Sequence, residues 1–356
     1  MLSVTVHNLV KAYAETVAVD HVDLEVRSGE LFFLLGPSGC GKTTLMRMIA
    51  GLLDPTSGAI RFGERDVTHV PTGQRNTAMV FQGYALWPHM TVAQNVAFGL
   101  DVRGISKPER EKRVQEALRA VRMAEYADRR PAQLSGGQQQ RVALGRALVV
   151  QPDVMLMDEP LSNLDAKLRI EMRHEIKRIC SESNVTAIYV THDQEEALTM
   201  ADRLAVMRDG KIRQIGSPQD VYAKPIDRFV AGFLGSTNFI PAIVRGNEGG
   251  KLRLETPIGD IVSAVFPADL PIGRDVTCSV RPEAMSLADA EHAENNIQVT
   301  FDRSVFLGNL VEYLFKTGDG TTIAVTQLQN GPLRGVAPDS ACRIGFSSDQ
   351  VVVLTD

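Results

Sequence analysis

A glycine-rich stretch between an apolar run and a helical pattern constrains the fold of this chain more than any other feature. Glu30–Leu35 is a short apolar run, and the following segment reads GPSGCGKTT before a helix-compatible stretch, Lys42–Ala50. This matches G-x-x-x-x-G-K-[ST] between a strand and a helix, where convergent backbone N–H groups and the helix N-terminus attract phosphate. The sequence therefore predicts a phosphate-binding loop in an α/β domain. The loop residues are Gly36, Pro37, Ser38, Gly39, Cys40, Gly41, Lys42, Thr43 and Thr44.

Length and composition limit the remaining possibilities. At about 150 residues per domain, a chain of 356 residues predicts two domains, or three. The 38 basic and 43 acidic residues give a net charge of −5, which argues against a dedicated nucleic-acid binder. There is no apolar run of about 18 residues, and the first residues lack the pattern of a secretory signal. The four widely spaced cysteines do not have metal-ligand spacing, so we expect a soluble protein of a reducing compartment.

Short apolar runs alternate with helical patterns over the first two thirds of the chain. Val154–Met157 and Thr186–Val190 are continuous apolar runs. Such runs are expected for parallel strands that are covered on both faces. Between residues 165 and 180, apolar residues recur at helical spacing and predict a helix that packs on a core.

Two other regions have different patterns. Residues 90–133 are helical in pattern, with Ser106 and Glu109 spaced as a capping box, and they predict a helical subdomain inserted in the α/β core. After about residue 236, apolar and polar residues alternate as in half-buried strands, and Gly318–Gly320 is placed as a hairpin turn. This part predicts a small β-barrel or sandwich.

A second motif, which is acidic, supports hydrolysis of the bound nucleotide. The run that begins at Val154 ends in two carboxylates, Asp158 and Glu159. Lys42 can reach the β- and γ-phosphates, and the Thr43 hydroxyl can ligate Mg²⁺. Asp158, at the carboxyl end of a strand, would face Mg²⁺ directly or through water. Glu159 can polarise the attacking water as a general base.

The segment that reads LSGGQQQR provides another phosphate site. Its serine hydroxyl and glycine N–H groups lie at the start of a predicted helix. The segment resembles the signature motif of ATP-binding cassette (ABC) ATPases. The resemblance implies that the motif faces the γ-phosphate bound by the other subunit, so that each ATP lies between two chains of a homodimer. Its residues are Ser135, Gly136, Gly137 and Gln138.

Further motifs of the same family follow in the family's order. Tyr13 matches the aromatic residue that stacks on adenine, and Gln82 matches the Q-loop glutamine that contacts Mg²⁺ and water. His192 matches the switch histidine that hydrogen-bonds the γ-phosphate. The segment LSNLD resembles the D-loop at the dimer interface, through Ser162, Asn163 and Asp165. The resemblance thus implies Glu159, His192 and Gln82 as catalytic residues, with Thr43, Gln82 and Asp158 as Mg²⁺ ligands.

The chain is most similar in pattern to the ATPase subunits of bacterial importers. The segment YALWPHMTV after Gln82 resembles the one that lines the cleft for a coupling helix of the membrane subunit. Ala85, Leu86, Trp87 and Met90 are expected to form its apolar floor, since an exposed apolar cleft favours a partner. The resemblance implies a peripheral protein on the cytoplasmic face of the inner membrane. Its implied partners are two transmembrane permease subunits and, through them, a solute-binding protein, with no nucleic acid.

The tail completes the expected architecture. The segment VFLGNLVEY near residue 310 resembles the transport-associated oligomer-binding (TOBE) domain of these ATPases. We therefore expect an α/β P-loop NTPase of the ABC type, with a RecA-like core and a helical subdomain at about 88–137, over residues 1–235. An all-β, OB-like regulatory and dimerisation domain is expected over residues 236–356.

Two departures from the pattern of sugar importers bear on the cargo. The tail lacks an HLFD-like segment, and Trp87 replaces a tyrosine that is common in sugar importers. These departures favour iron, polyamine or phosphonate-type cargo, with sugar as the alternative. Two other classes of function stay open, a non-transport ABC ATPase and a module that sequesters a regulator.

Overall fold

The structure is a computed structural model that describes residues 2–287, 292–329 and 339–355. The chain divides into two compact units, Met1–Pro218 and Gln219–Asp356. Within the described ranges, no helix is both long and apolar enough to cross a membrane.

The first unit contains two sheets and the helices that connect their strands. Its elements are β1 (Val4–Tyr13), β2 (Thr16–Val26), β3 (Leu31–Leu35), α1 (Lys42–Ala50), β4 (Ser57–Phe62), β5 (Arg65–Asp66), β6 (Thr77–Val80), α2 (Val92–Val102), α3 (Lys107–Ala120), α4 (Gly136–Leu148), β7 (Val154–Asp158), α5 (Ala166–Ser183), β8 (Thr186–Thr191), α6 (Gln194–Met200), β9 (Arg203–Arg208) and β10 (Lys211–Gly216). One sheet has the order β2-β1-β4-β5 and is antiparallel. The other has the order β10-β9-β3-β8-β7-β6 and is parallel except for β10.

The parallel sheet is buried on both faces, as its apolar runs predict. Every residue of β3 and of β8 is buried, and only the last residue of β7 is partly exposed. Helix α1 packs into one core together with strands of both sheets. The strand order places β3 between β9 and β8, which come much later in the chain. The loops after these strands therefore meet at one edge of the sheet, where open α/β sheets bind ligands.

Helices α2 and α3 form the helical region expected before the signature motif. The apolar stripe of α3 is buried at Val114, Ala117 and Leu118. The capping box predicted at Ser106 and Glu109 is wrong. Ser106 precedes the helix, but its side chain accepts no capping hydrogen bond, and the Glu109 carboxylate that would complete the box accepts from Arg113 Nε at 2.6 Å instead.

The second unit is mainly antiparallel sheet. It contains α7 (Pro218–Ala223, starting at the division), α8 (Arg228–Phe233), β11 (Asn238–Glu248), β12 (Lys251–Thr256), β13 (Gly259–Ser263), β14 (Asp275–Val280), β15 (Asn295–Phe306), β16 (Leu310–Lys316), β17 (Thr322–Leu328), β18 (Ala341–Phe346) and β19 (Val351–Leu354). The sheets β13-β12-β11-β14-β19 and β17-β16-β15-β18 share one apolar core. The predicted hairpin at Gly318–Gly320 is confirmed, since β16 and β17 pair across it.

Candidate nucleotide-binding and hydrolysis site

The phosphate-binding loop leaves the end of β3 and enters α1. Gly41 is the N-cap of α1 at φ 103°, and a Cβ there would lie 2.3 Å from the backbone oxygen of Ala18 on β2. A Cβ on Gly36 would lie 2.4 Å from the oxygen of Met207 on β9. The loop is thus clamped between neighbouring backbones that leave space only for glycine. Ser38 and Gly39 are exposed at its tip, whereas Pro37, Thr43 and Thr44 are partly buried and Cys40 is buried.

Lys42 carries a buried ammonium group into the centre of this loop. Its Nζ donates hydrogen bonds to the oxygens of Gly36, at 2.7 Å, and Pro37, at 2.9 Å. Among the described residues, no carboxylate forms an ion pair with it. A buried cation with neutral partners fits an anionic ligand such as a phosphate, because a buried charge is stable only when it is compensated. Burial also raises the pKa of the neighbouring Cys40 thiol despite the Lys42 charge.

Asp158, at the end of β7, faces the start of α1. The Thr43 hydroxyl donates to Oδ1 of Asp158 at 3.4 Å. Burial raises the pKa of Asp158, and the adjacent charge of Glu159 raises it further. Burial makes the ionised Asp158 carboxylate unfavourable unless a cation pairs with it. Together with the Thr43 hydroxyl it supplies hard oxygen ligands, which fit Mg²⁺.

Glu159 and His192 lie together, although 33 residues separate them. Nδ1 of His192 is 3.0 Å from Oε1 of Glu159. The register of β7 and β8 produces this approach, because Asp158 pairs with Val190 two residues before the histidine. Glu159 itself has φ 45°, a left-handed conformation that is unusual for a residue with a Cβ. Its N–H donates to the Val190 oxygen at 3.0 Å, which holds the strained turn.

The D-loop residues contact other motifs of the same chain. The Ser162 hydroxyl donates to the backbone oxygen of Glu159 at 2.9 Å, and Asn163 Nδ2 donates to the backbone oxygen of Gln82 at 3.0 Å. Asp165 caps α5 by accepting from the N–H of Leu168. The sequence did not predict these contacts, because they form only when β6 and β7 become neighbours in the folded sheet. Among the described contacts, the Gln82 side chain makes no hydrogen bond to Thr43 or Asp158.

Tyr13 lies at the exposed end of β1. It pairs with Thr16 of β2, the strand whose Ala18 packs on Gly41. Half of the Tyr13 surface is exposed, and the Lys11 ammonium lies 5.1 Å from its ring centre. An exposed ring on the hairpin that contacts the loop is available for base stacking.

The signature motif forms the start of α4. The Ser135 hydroxyl accepts from the Gln138 N–H, and Gln138 Oε1 accepts from the Ser135 N–H at 2.9 Å, so this is a true capping box. Leu168 of α5 lies so near Gly137 that a Cβ there would be only 2.8 Å away. Within the part of the chain that the structure describes, no hydrogen bond joins the signature to the phosphate-binding loop.

An apolar cleft of about 820 Å³ opens beside the segment that follows β6. The predicted residues Ala85, Leu86 and Trp87 line it, but Met90 does not. The Met90 oxygen is instead turned to Asn95 of α2, at 3.3 Å from its Nδ2. Sequence reasoning missed four exposed apolar residues in the lining, of which two have helical i, i+4 spacing on α2. These four are Leu52, Phe81, Phe98 and Val102.

This fold and site define a P-loop nucleoside triphosphatase. Residues 19–162 match the family described as ABC transporter, and residues 278–354 match the TOBE domain. The chain belongs to the ABC transporter family of ATP-binding proteins, with a C-terminal TOBE domain, and it is an ATPase.

Relatives match this chain over nearly its full length. It is 46% identical to the spermidine/putrescine import ATP-binding protein PotA 1 of Pseudomonas aeruginosa, over 96% of this chain and 92% of that protein. It is 42% identical to the Fe(3+) ions import ATP-binding protein FbpC of Fusobacterium nucleatum, over 100% of this chain and 94% of that protein.

Solved structures match part of this chain. CbiO1 of Clostridium perfringens, part of an ABC transporter complex, is 30% identical with a TM-score of 0.58, over 62% of this chain and 90% of that chain. An ATP-binding cassette described as a dimeric post-hydrolysis state with ADP and Pi is 32% identical with a TM-score of 0.53. That match covers 60% of this chain and 98% of that chain.

Proposed function

We propose that this ATPase energises a bacterial importer of polyamines, with ferric iron as the next cargo. It would act as a homodimer on the cytoplasmic face of the inner membrane, bound to two transmembrane permease subunits that receive cargo from a solute-binding protein. The names of two relatives, a spermidine/putrescine import and an Fe(3+) ions import ATP-binding protein, support this order, with phosphonate-type solutes and sugars as the alternatives. The single observation that carries the transport role is the exposed apolar cleft beside the Q-loop.

Nucleotide binding is assigned to one face of each chain. The Lys42 ammonium would bind β- and γ-phosphate oxygens in the clamped loop, and Tyr13 would stack on adenine. Thr43 and Asp158, with Gln82 from the Q-loop, would hold Mg²⁺. When bound, Mg²⁺ supplies charge neutralisation on the phosphate oxygens. The signature residues of a second chain would complete the site, since within the described residues no hydrogen bond joins the signature to the loop of its own chain.

Hydrolysis is assigned to Glu159 and His192. The Glu159 carboxylate accepts the proton of the water that attacks the γ-phosphorus, and ADP leaves in line. His192 would orient this carboxylate, because its Nδ1 lies 3.0 Å from Oε1, and this leaves Nε2 as the ring nitrogen that would donate to a γ-phosphate oxygen. Asp193 fixes the histidine in turn, since its carboxylate caps α6 and pairs with Arg173 at 3.2 Å.

The β-rich domain, proposed over residues 236–356, would hold the two copies together. An exposed apolar patch lies at the β15–β16 end, where Phe306 is 65% exposed and Leu328 is 68% exposed. A Phe306→Glu variant should shift the dimer to monomer in sedimentation, whereas Ile272→Glu, at another exposed position, should not. A second role for this domain, sequestering a regulator, would appear as a soluble protein captured by residues 236–356 alone.

Capture of the tagged chain from native membranes tests the transport role. We expect two multi-span membrane proteins with the wild type, and the solute-binding protein encoded with them would define the cargo. Trp87→Ala should reduce this capture, because the ring lines the cleft and contacts Phe98 at 5.4 Å between centres. Ile272→Ala is the matched control, as it removes an exposed apolar side chain outside the cleft. Recovery of ribosomal or DNA-repair proteins instead would refute the importer.

A further inference from the structure

Arg146 of α4 reaches the backbone of the segment that follows the Q-loop. Its Nη1 donates to the Ala85 oxygen at 2.6 Å, and its Nη2 donates to the Tyr84 oxygen at 2.7 Å. Burial lowers the pKa of this guanidinium. Among the described residues, no carboxylate is ion-paired with Arg146. The backbone carbonyls of Tyr84 and Ala85 are therefore the hydrogen-bond partners of the Arg146 guanidinium.

The backbone that Arg146 holds is strained. Tyr84 has φ 59° and Ala85 has φ 49°, so two consecutive residues with a Cβ adopt the left-handed conformation. The turn closes through the Tyr84 N–H to the Phe81 oxygen and the Ala85 N–H to the Gly83 oxygen. Such a conformation persists only where the surroundings fix it, and Arg146 supplies two of the contacts that do so.

A second polar side chain fixes the rest of the segment. Asn95 of α2 is fully buried. Its Oδ1 accepts from the Trp87 N–H at 2.8 Å, and its Nδ2 donates to the Trp87 oxygen at 3.1 Å and to the Thr91 oxygen at 3.0 Å. Residues 84–91 are thus attached to the helices α2 and α4 rather than to the parallel sheet.

The attachment changes just before this segment. The Gln82 oxygen accepts from Asn163, which follows β7 of the parallel sheet. A Cβ added to Gly83 would meet nothing within 4 Å, so that side of the residue faces open space. The side chains that hold the backbone therefore change after Gln82, from Asn163 to Arg146 and Asn95, while the hydrogen bond from the Tyr84 N–H to the Phe81 oxygen spans this point.

We propose that Arg146 is a positioning residue that ties the turn at Tyr84 and Ala85, beside the cleft, to the signature helix α4. Ser135 and Arg146 belong to one helix, and eleven residues of helix span about 16 Å. A displacement of the signature end of α4 would then pass through Arg146 to the turn at Tyr84 and Ala85, and along the backbone from there to Trp87. This consequence rests on the proposed function, in which the second chain engages Ser135 and a membrane subunit occupies the cleft.

Amide hydrogen exchange of the full-length chain tests the attachment. Arg146→Ala should speed exchange at Tyr84 and Ala85 by at least about tenfold, because their turn loses its anchor. Arg146→Lys keeps the charge but cannot donate to both carbonyls in a fork, so we expect an intermediate rate. Arg103→Ala is the matched control. That arginine borders the same cleft and also makes two hydrogen bonds, to the Val150 oxygen and to Asn76, but it does not touch residues 84–91.

Equal exchange at Tyr84 and Ala85 in the wild type and Arg146→Ala would overturn the proposal. If Arg146→Ala fails to fold, the exchange rates at Tyr84 and Ala85 are compared between Arg146→Lys and Arg103→Lys. Faster exchange in Arg146→Lys alone supports the anchor, and equal rates overturn it. The assembly captured from membranes gives the second readout, the ratio of its ATPase rate to that of the chain alone. This ratio should fall by about tenfold in Arg146→Ala and stay at the wild-type value in Arg113→Ala, which removes an arginine of α3 that pairs with Glu109 outside the cleft.

The two kinds of failure are distinguishable. A wild-type chain that captures no membrane subunit refutes the proposed function, whereas the exchange rates still decide whether Arg146 anchors the turn. A wild-type chain that captures its partners, with the same ATPase ratio in Arg146→Ala, refutes the role of Arg146 in coupling.

Discussion

The His192 ring lies 3.0 Å from the Glu159 carboxylate, across the ends of two neighbouring parallel strands. The approach joins the residue assigned to proton transfer with the residue assigned to the γ-phosphate. Since Glu159 adopts φ 45°, the turn that brings it there is specific to this site rather than a continuation of β7.

Glu159→Gln should lower kcat by about 10² to 10⁴-fold, because the amide cannot accept the proton of the attacking water. The ATP dissociation constant should stay near the wild-type value, since the phosphate loop is intact. Phosphate release and equilibrium binding of labelled ATP check both. Glu64→Gln, in an exposed turn, is the control. Turnover of Glu159→Gln at the wild-type rate would assign the base to another group.

Tyr13→Ala should weaken ATP binding by about 1–3 kcal/mol, or about fivefold to 150-fold, through loss of base stacking. Tyr13→Phe keeps the ring and should bind almost as the wild type does. Titration with ATP and GTP provides the measurement, and both nucleotides should lose affinity because every base has a stacking face. An unchanged affinity of Tyr13→Ala would place the base elsewhere.

A glycine-to-alanine series should separate backbone strain from steric overlap at two positions of the phosphate loop, with Gly73, outside the loop, as the reference. Gly73→Ala adds a Cβ in open space at an ordinary φ and should change the free energy of unfolding by less than about 0.5 kcal/mol. Gly39→Ala, at φ 81° in open space, should cost about 1–2 kcal/mol. Gly41→Ala, at φ 103° and 2.3 Å from the Ala18 oxygen, should cost most and abolish ATP binding. Urea unfolding gives the order, and equal losses at all three positions would contradict it.

The Glu175 carboxyl is expected to make the free energy of unfolding depend on pH in the acid range. Burial alone would raise its pKa, but hydrogen bonds from Arg178 and the charges of Arg141, Arg178 and Arg122 outweigh burial and lower the pKa. A carboxyl with a lowered folded-state pKa stabilises the fold above its ordinary value of 4.5, and this stability disappears as the pH falls through the folded-state pKa.

Glu175→Gln should therefore cost about 1–3 kcal/mol at neutral pH, because it weakens hydrogen bonds to charged arginines that themselves stay partly exposed to water. Its stability should also fall less steeply than that of the wild type below about pH 4.5. Urea unfolding as a function of pH measures both effects. Glu171→Gln, exposed on the same helix, is the control. A variant whose acid profile parallels the wild type would exclude Glu175 as the titrating group.

The parallel core was predictable because its signals are local and strong. The apolar runs in β3, β7 and β8 and the extent of α1 follow directly from the sequence, since strands covered on both faces need continuous apolar residues. The antiparallel sheet β2-β1-β4-β5 was not predicted. Register shifts after Val6 and Leu9 interrupt the alternation in β1, so no period of two is visible along it.

The site was predictable in its residue types and less so in its contacts. The motifs identify Lys42, Asp158 and Glu159, but the bond from Asn163 to Gln82 depends on β6 and β7 becoming neighbours. The left-handed turn at Tyr84 and Ala85 contradicts local preference, and Arg146, distant in sequence, holds it there. Tertiary contacts override local propensity at these positions.

The proposed division of the ATP site between the phosphate-binding loop and the signature helix of two chains has a consequence for symmetry. Each chain would present two unlike, complementary surfaces, and such surfaces either close on themselves or continue indefinitely. In the proposed homodimer, a two-fold axis pairs each loop with the other chain's Ser135 and closes the assembly at two chains. A head-to-tail arrangement of the same surfaces would instead grow into a filament, so a contact that enforces the two-fold axis protects the protein against polymerisation as well as supporting its chemistry.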